Sequence, residues 1–343
     1  MRTRAHLGDR ISLKHGAGGP AMRALIERVF VEGAEDPPGG VGFLAMDDGA
    51  ALPIGDGRYL VLTTDSHVVS PIFFPGGDIG RLAVSGTVND LAMMGATDVL
   101  GLTCAVVVEE GFSSRDLERV QRSMRAACAE ANARIVTGDT KVMGKGQLDG
   151  LMINTAGVAL TRNIVRDCGL RAGDRIVVTG TIGDHGFAVL AARNGLELEG
   201  ELRSDVAPIN GLIRAALAVG GITALKDPTR GGLSSALHEM AEKSGVGIVL
   251  EEPRVPLRQE VRAAAELLGI DPLQVANEGK AVLGVRPVAA GALLDALRSH
   301  PLGRQAAIVG TCVAENPGRI VLDTGFGKRL LAEPEGDPMP RIC

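Results

Sequence analysis

Tryptophan is absent, tyrosine occurs once (Tyr59), and aromatic residues make up only 2% of the 343. Little is left from which to build a stacking platform for single-stranded nucleic acid. Aliphatic side chains must supply the core. Charge of one sign is also missing. Thirty-six Lys and Arg stand against 41 Asp and Glu, a net charge of −5, with no basic stripe that would track a phosphate backbone. No apolar run reaches the ~18 residues a membrane-crossing helix needs. The opening MRTRAHLGDR lacks the apolar stretch of a secretory signal, so the expectation is a soluble, cytoplasmic protein. Five cysteines (Cys104, Cys128, Cys168, Cys312 and Cys343), an odd set without CxxC spacing, argue against a disulfide framework or a structural zinc site. The first four lie among apolar residues and read as small core side chains. No GxxxxGK[ST] loop occurs, the nearest strings being Gly279-Lys280-Ala281 and Gly327-Lys328-Arg329. HExxH and GxSxG are missing too, which disfavours P-loop, zincin and α/β-hydrolase chemistry.

Glycine, by contrast, is abundant (47), and it separates many short periodic segments. Strands are expected over 59–64, 99–108, 134–137 and 151–159. A helix over 113–133 is capped by Ser113-x-x-Asp116 and buries Leu117, Val120, Met124, Ala127, Cys128 and Ala131. Beyond a boundary near 160–172, strands are expected at 175–180, 246–250, 281–285, 306–313 and 319–323. Helices are expected from Phe187 and over 209–219, 232–243, 257–268 and 289–298. Such alternation indicates an α/β (α+β) fold in two halves, residues 1–165 and 166–330. A proline-rich extended tail, 331–343, follows.

Acidic residues beside small ones recur at what read as strand ends: Asp47-Asp48-Gly49-Ala50, Thr63-Thr64-Asp65, Val88-Asn89-Asp90 and Thr137-Gly138-Asp139-Thr140. Each alone reads more readily as a turn or cap residue than as a ligand. Converging, carboxylates from several of these strings would suit Mg²⁺ ions on a polyphosphate, because Mg²⁺ takes a few hard carboxylates plus phosphate and water. Two glycine-rich stretches, His15-Gly16-Ala17-Gly18-Gly19 and Asp227-Pro228-Thr229-Arg230-Gly231-Gly232, could let backbone N–H groups approach an anion, or be plain turns. The pair Met93-Met94 reads as packing. At the end of the chain, Cys343 is either incidental or a carrier thiol. Thirteen residues at ~3.3–3.6 Å each give such an arm a reach of about 40 Å. The neighbouring carboxylate and Arg341 pull its thiol in opposite directions.

The ordered set DDGA, TTDSHVVSP, FFPGGDIGRLAVSGTVNDLAMMGA, VTGDTKV, KDPTRGGL, NEGK and PRIC resembles the HypE family of hydrogenase maturation proteins, over nearly the whole chain. That family belongs with aminoimidazole ribonucleotide synthetase and selenophosphate synthetase. The resemblance implies an N-terminal half whose strands form a β-barrel-like sheet across a homodimer, and a C-terminal α/β half. It implies that a HypF-type partner loads a carbamoyl group onto Cys343, that ATP drives dehydration of the S-carboxamide to S-cyanide, and that the cyanide passes to iron on a HypC–HypD scaffold. On this reading Cys343 is the nucleophile, Glu278 of NEGK the base and Lys141 a stabiliser of the transferring phosphoryl group. Asp48, Asp65, Asp90 and Asp139 hold Mg²⁺–ATP, with Asn89, Asp227, Gly18 and Gly19 as further nucleotide contacts. His67 and His185 are the weaker alternatives for the base, or else packing residues. Lys141 is otherwise a solvated loop lysine, and Glu278 a partner for Lys280. The competing functions are another ATP-using synthetase or small-molecule kinase of the superfamily, and a non-catalytic thiol carrier. Selenophosphate synthetases use a cysteine or selenocysteine near the N-terminus, whereas the first cysteine here is Cys104 in a strand.

Overall fold

The computed structural model describes residues 10–196, 200–334 and 342–343. The first half holds a short helix α1 (Pro20–Ile26), then strands β1 (Ala50–Pro53), β2 (Tyr59–His67), β3 (Phe73–Phe74) and β4 (Gly77–Asp78). Helix α2 (Ile79–Met93), β5 (Asp98–Glu109), α3 (Ser114–Ala131), β6 (Ile135–Met143) and β7 (Leu151–Thr161) complete it. Its five-stranded sheet runs β1-β2-β7-β5-β6, antiparallel except for the β5–β6 pair. The sheet is open, with β1 and β6 as its edges.

Helix α3 follows its sequence signals. Ser113 Oγ accepts the Asp116 N–H at 3.3 Å, and Val120, Met124, Ala127, Cys128 and Ala131 face inward as one stripe. Helix α2 carries no such stripe. Almost every residue of it is buried, because it lies between the sheet and the second half. Its start is set by Asp78, whose carboxylate accepts the Gly80 and Arg81 N–H groups at 2.9 Å.

The second half contains β8 (Arg175–Val178), α4 (Asp184–Asn194), α5 (Asn210–Val219), β9 (Ile222–Lys226), α6 (Gly232–Ser244) and β10 (Gly247–Glu251). Helix α7 (Gln259–Leu268), β11 (Val282–Val285), α8 (Pro287–Ser299), β12 (Ala307–Val313), β13 (Ile320–Asp323) and β14 (Lys328–Leu330) follow. These strands form a seven-stranded sheet ordered β14-β13-β10-β12-β8-β11-β9. The strand and helix positions expected in this half agree with those observed to within a few residues. Cys104, Cys128 and Cys312 are buried and Cys168 is partly so, all as free thiols. Burial pushes the Cys312 thiol up to about 12, with Asp174 adding to it.

Polar side chains bind the halves together. Asn210 Nδ2 donates to the Ala131 and Thr97 carbonyls at 2.9 and 3.2 Å, and Arg81 Nε donates to the Val206 carbonyl at 2.7 Å. Of the tail, residues 331–334 run without regular structure, Leu331 buried and Glu333 held by Arg23 through two bonds of 2.6 and 2.8 Å. The expected extended arm falls mostly on 335–341, outside the described residues. Ile342, just beyond them, is buried in a hydrophobic cluster built from both halves.

Candidate active site

A cavity of about 540 Å³ opens between the halves. Asp48 and Asp65 enter it from around β1 and β2, Asp90 from α2, Asp227 from the loop after β9, Glu278 from the loop before β11, and Cys343 from the chain end. Gly18 also lines it. That glycine sits at φ +81°, with the Arg230 backbone where a Cβ would be, while Gly19 packs against the Pro334 carbonyl. The glycine-rich stretch thus lets two loops cross closely. Arg230 and Lys226 flank Asp227 in sequence and line the cavity as well, together with Glu239 and Lys243 of α6 and Arg23 of α1.

Two local expectations change. Asn89-Asp90 lies in the last turns of α2, not at a strand end, because the apolar run before it is helical. Strand β6 continues through Gly138 to Met143, so Asp139 is mid-strand and not in the turn after a short strand. An edge strand exposed along both faces has no buried side to mark its length.

Strand order decides which carboxylates meet. The side chains of Asp65, Thr155 and Cys104 lie on the helix-covered face, in register with Gly138, whereas Ser66, Asn154, Ala105 and Asp139 share the open face. Asp139 and Lys141 therefore project from the opposite face to Asp65, three strands away, roughly 14 Å at ~4.8 Å per strand. Within one chain they do not line the cavity. Asn89 is turned elsewhere too. Its Oδ1 accepts the Ile209 N–H at 2.8 Å and its Nδ2 donates to the carbonyls of Ala207 and Glu278 at 3.1 and 3.2 Å.

The carboxylates that do converge repel one another. Burial, then Asp227, Asp65 and Asp48, holds Asp90 well above the usual carboxylate range, against the Thr63 hydroxyl 2.9 Å from its Oδ2. Burial with the charges of Asp48 and Asp65 lifts Asp227 to about 8. Glu278, 3% exposed, is raised well above its ordinary value by burial and by Asp227, Asp65 and Asp205, with Arg230 opposing; its Oε1 has no hydrogen-bond partner among the described residues. Arg230 is held in its charged form first by the charge of Cys343, then against burial by Asp65, Glu278 and Asp90.

The other wall is an ion-pair network. Lys226 Nζ contacts Asp48 Oδ1 at 2.7 Å and Glu239 Oε2 at 3.2 Å, and these charges with Asp167 and Asp227 outweigh its burial to raise it well above the ordinary lysine value. Behind it, Lys243 contacts Asp167 at 2.6 Å and Arg166 contacts Asp47 at 2.6 Å. Burial and the hydrogen-bonded Asp47 lift Asp167 to about 8.

Neither histidine faces the reaction space as a base. His67 is 1% exposed, lies 3.5 Å from Asp65 Oδ2, and is held neutral by burial. His185 is fully buried and hydrogen-bonded through both ring nitrogens. Among the described residues, no group of three His, Cys, Asp or Glu is already spaced around a metal position. Nevertheless, the donors facing the cavity are hard carboxylate oxygens in electrostatic excess, with Glu278 Oε1 buried among them and unpartnered within the described residues. That donor set fits a hard divalent cation carrying a polyphosphate. Sequence reasoning missed Lys226, Arg230, Glu239, Lys243 and Arg23. Lys226 and Arg230 were signalled by their place inside KDPTRGG, while Glu239 and Lys243 on a mixed helix carried no signal.

Two family models cover most of the chain, the N-terminal domain of AIR synthase related protein over residues 46–161 and its C-terminal domain over 171–323. The protein is thus a two-domain member of the AIR synthase related class. Similarity to curated relatives narrows this. A putative hydrogenase expression/formation protein of Methanocaldococcus jannaschii is 48% identical over 339 residues, 97% of this chain and 100% of its own. The carbamoyl dehydratase HypE of Rhizobium leguminosarum bv. viciae is 45% identical over 339 residues, 97% of this chain and 95% of its own. Among solved structures, a chain of a HypE–HypF complex superposes with TM-score 0.84 at 42% identity, covering 91% of this chain and 100% of that one. HypE in complex with ATP superposes with TM-score 0.80 at 40% identity, covering 97% and 100%. The chain belongs to the HypE family of hydrogenase maturation proteins.

Proposed function

We propose that this protein is an ATP-dependent carbamoyl dehydratase that converts an S-carboxamide on Cys343 into S-cyanide, destined to become a cyanide ligand of a [NiFe]-hydrogenase. The observation that carries the reading is that Cys343 and Glu278 enter the same cavity as Asp48, Asp65, Asp90 and Asp227. A passive carrier has no need of a buried base and four converging carboxylates around its thiol.

The overall change is R–S–C(=O)NH₂ + ATP → R–S–C≡N + ADP + phosphate. The amide oxygen is a poor leaving group, and phosphoryl transfer from ATP converts it into phosphate. The two nitrogen protons must then leave, and Glu278 is the group placed to take them. Its raised proton affinity makes it a stronger base once ionised. Arg230 sits by Cys343 and Glu278 and stabilises negative charge as it develops. Asp48, Asp65, Asp90 and Asp227 would hold Mg²⁺, whose chemistry here is to neutralise the nucleotide phosphates. Lys226 and Lys243 keep Asp48 and Asp47 in place.

Asp139 and Lys141 reach this chemistry from a second copy of the chain. Leu62, Leu100, Ile135, Val136 and Val142 leave the first sheet with exposed apolar side chains, and β6 is an unpaired edge. Pairing of two such sheets in a homodimer would cover them and bring the open-face Asp139 and Lys141 of one protomer to its partner. A HypF-type protein loads the carbamoyl group and a HypC–HypD scaffold receives the product, in the cytoplasm. Among the described residues no helix is long and apolar enough to cross a membrane.

Intact-protein mass spectrometry after incubation with ATP, Mg²⁺, carbamoyl phosphate and a HypF-type partner tests this. The expected result is a carbamoyl adduct that loses one water only when ATP is present, and that never forms on a chain lacking Cys343. An adduct that keeps its water with ATP would reduce the protein to a carrier. ATP turnover with no adduct would point to a small-molecule substrate.

A further inference from the structure

The residue before the carrier thiol is tied down by a side chain outside the cavity. Ile342 is 5% exposed and packs into the hydrophobic cluster that the two halves build together. Its carbonyl oxygen lies 2.8 Å from His185 Nε2 at the start of α4. A carbonyl can only accept, so Nε2 carries the proton. Nδ1 of this neutral ring then accepts the Ser204 hydroxyl, 2.7 Å away. Ser204 Oγ in turn accepts the Val206 N–H at 3.1 Å, and the Phe74 ring meets the imidazole edge to face at 5.3 Å. The tautomer and the ring plane are therefore both set by neighbours, and the one remaining donor points at the chain end.

We infer that His185 is a positioning residue that registers the thiol-bearing chain end in the cavity, so that the group on Cys343 meets Glu278. This deepens the dehydratase reading and rests on it. The Ile342 side chain sets the depth of insertion, but a hydrophobic contact tolerates sliding, whereas the His185 hydrogen bond fixes which carbonyl sits there. Successive Cα atoms are ~3.8 Å apart, so a slip of one residue would carry the substrate nitrogen out of the ~2.6–3.2 Å reach of a general base. One neutral hydrogen bond also leaves the arm free to withdraw for loading and delivery. That balance is what a shuttling thiol requires.

The test compares His185→Phe, which keeps the ring and loses the donor, with His185→Gln, whose amide N–H can reach the same carbonyl. With Cys343 carbamoylated by a HypF-type partner, single-turnover loss of water is followed by intact mass. His185→Phe should slow dehydration about tenfold, the loss of one such bond. Loading and the KM for ATP should stay within about twofold, and His185→Gln should recover most of the rate. Peptide mapping of Cys343 alkylation, which involves no catalysis, should show faster labelling in His185→Phe and parental labelling in His185→Gln. Ser204→Ala, which frees the tautomer, should give a smaller loss of the same kind and serves if His185→Phe does not fold. Parental dehydration in His185→Phe, or equal losses in the Phe and Gln variants, would overturn the inference. A parent that never dehydrates its adduct, but whose Cys343 is protected relative to His185→Phe, would overturn the dehydratase reading and leave the docking role standing.

Discussion

Replacing Asn89 by Ala separates two roles that the sequence cannot. The carboxamide makes three hydrogen bonds across the junction of the halves, to Ile209 N–H, Ala207 O and Glu278 O, and the residue is 2% exposed. At about 1 kcal/mol net for each, the substitution removes roughly 3 kcal/mol. The Ile209 N–H and Ala207 carbonyl are left buried, which adds to the loss. With an unfolding entropy of ~2.1 cal/mol/K per residue, a chain of this length should melt about 4 °C lower. Because one of the three bonds holds the backbone of Glu278, dehydration should also slow, with ATP affinity nearly unchanged. Calorimetry without nucleotide gives the melting shift, and nucleotide titration gives the affinity. A melting point within about 1 °C of the parent, together with at least a tenfold loss of ATP affinity, would refute this account and make Asn89 a nucleotide ligand.

Glu278→Gln should retain ATP binding and Cys343 loading while dehydration falls at least ~100-fold, the usual span for a lost general base; near-parental dehydration in the mass assay would remove Glu278 from the mechanism. In Asp139→Asn and Lys141→Ala variants each copy lacks one open-face group, and homodimers of either should be slow. Asp139→Asn chains mixed with Glu278→Gln chains should recover part of the activity in mixed dimers, through sites that take Asp139 from one chain and Glu278 from the other. No recovery in verified mixed dimers would confine each site to one chain. The Asp47–Asp167 pair makes stability fall with alkali. Asp167 is raised from 3.8 to about 8, so its contribution is fully present below the unfolded value and lost as pH rises through about 8. Asp167→Asn mimics the protonated form, and its melting point should fall less than the parent's between pH 6 and pH 9; parallel curves would show that Asp167 is already ionised at pH 6.

How far the sequence could be read depended on whether each element has a wet side. Helix α3 and strands β2, β5 and β7 each present one buried face, so periodicity reveals them. Helix α2 is buried all round and rich in Gly, Ser, Thr and Ala, because the sheet and the second half press on it from both sides. A helix without a polar face has no helical moment to read. Strand β6 failed in the opposite sense, since its exposed edge shows no alternation. At the site, the residue types were legible. Asp48 beside Gly49 and Asp65 between Thr64 and Ser66 are chemically distinctive, and Asp48, Asp65, Asp90, Asp227, Glu278 and Cys343 do share one cavity.

The two-half α/β architecture, the aliphatic core, the acidic residue types of the cavity and the family were therefore legible from residue order alone. Tertiary structure alone decided the partnerships. A side chain's face is fixed by strand register, and register depends on pairing with strands far along the chain, which is why Asp65 and Asp139 part company although their motifs look alike. The same holds for Asn89, which links the halves from within α2, and for His185, whose imidazole meets a carbonyl 157 residues away. No local pattern encodes a contact at that separation; it exists only once both halves have closed around the chain end.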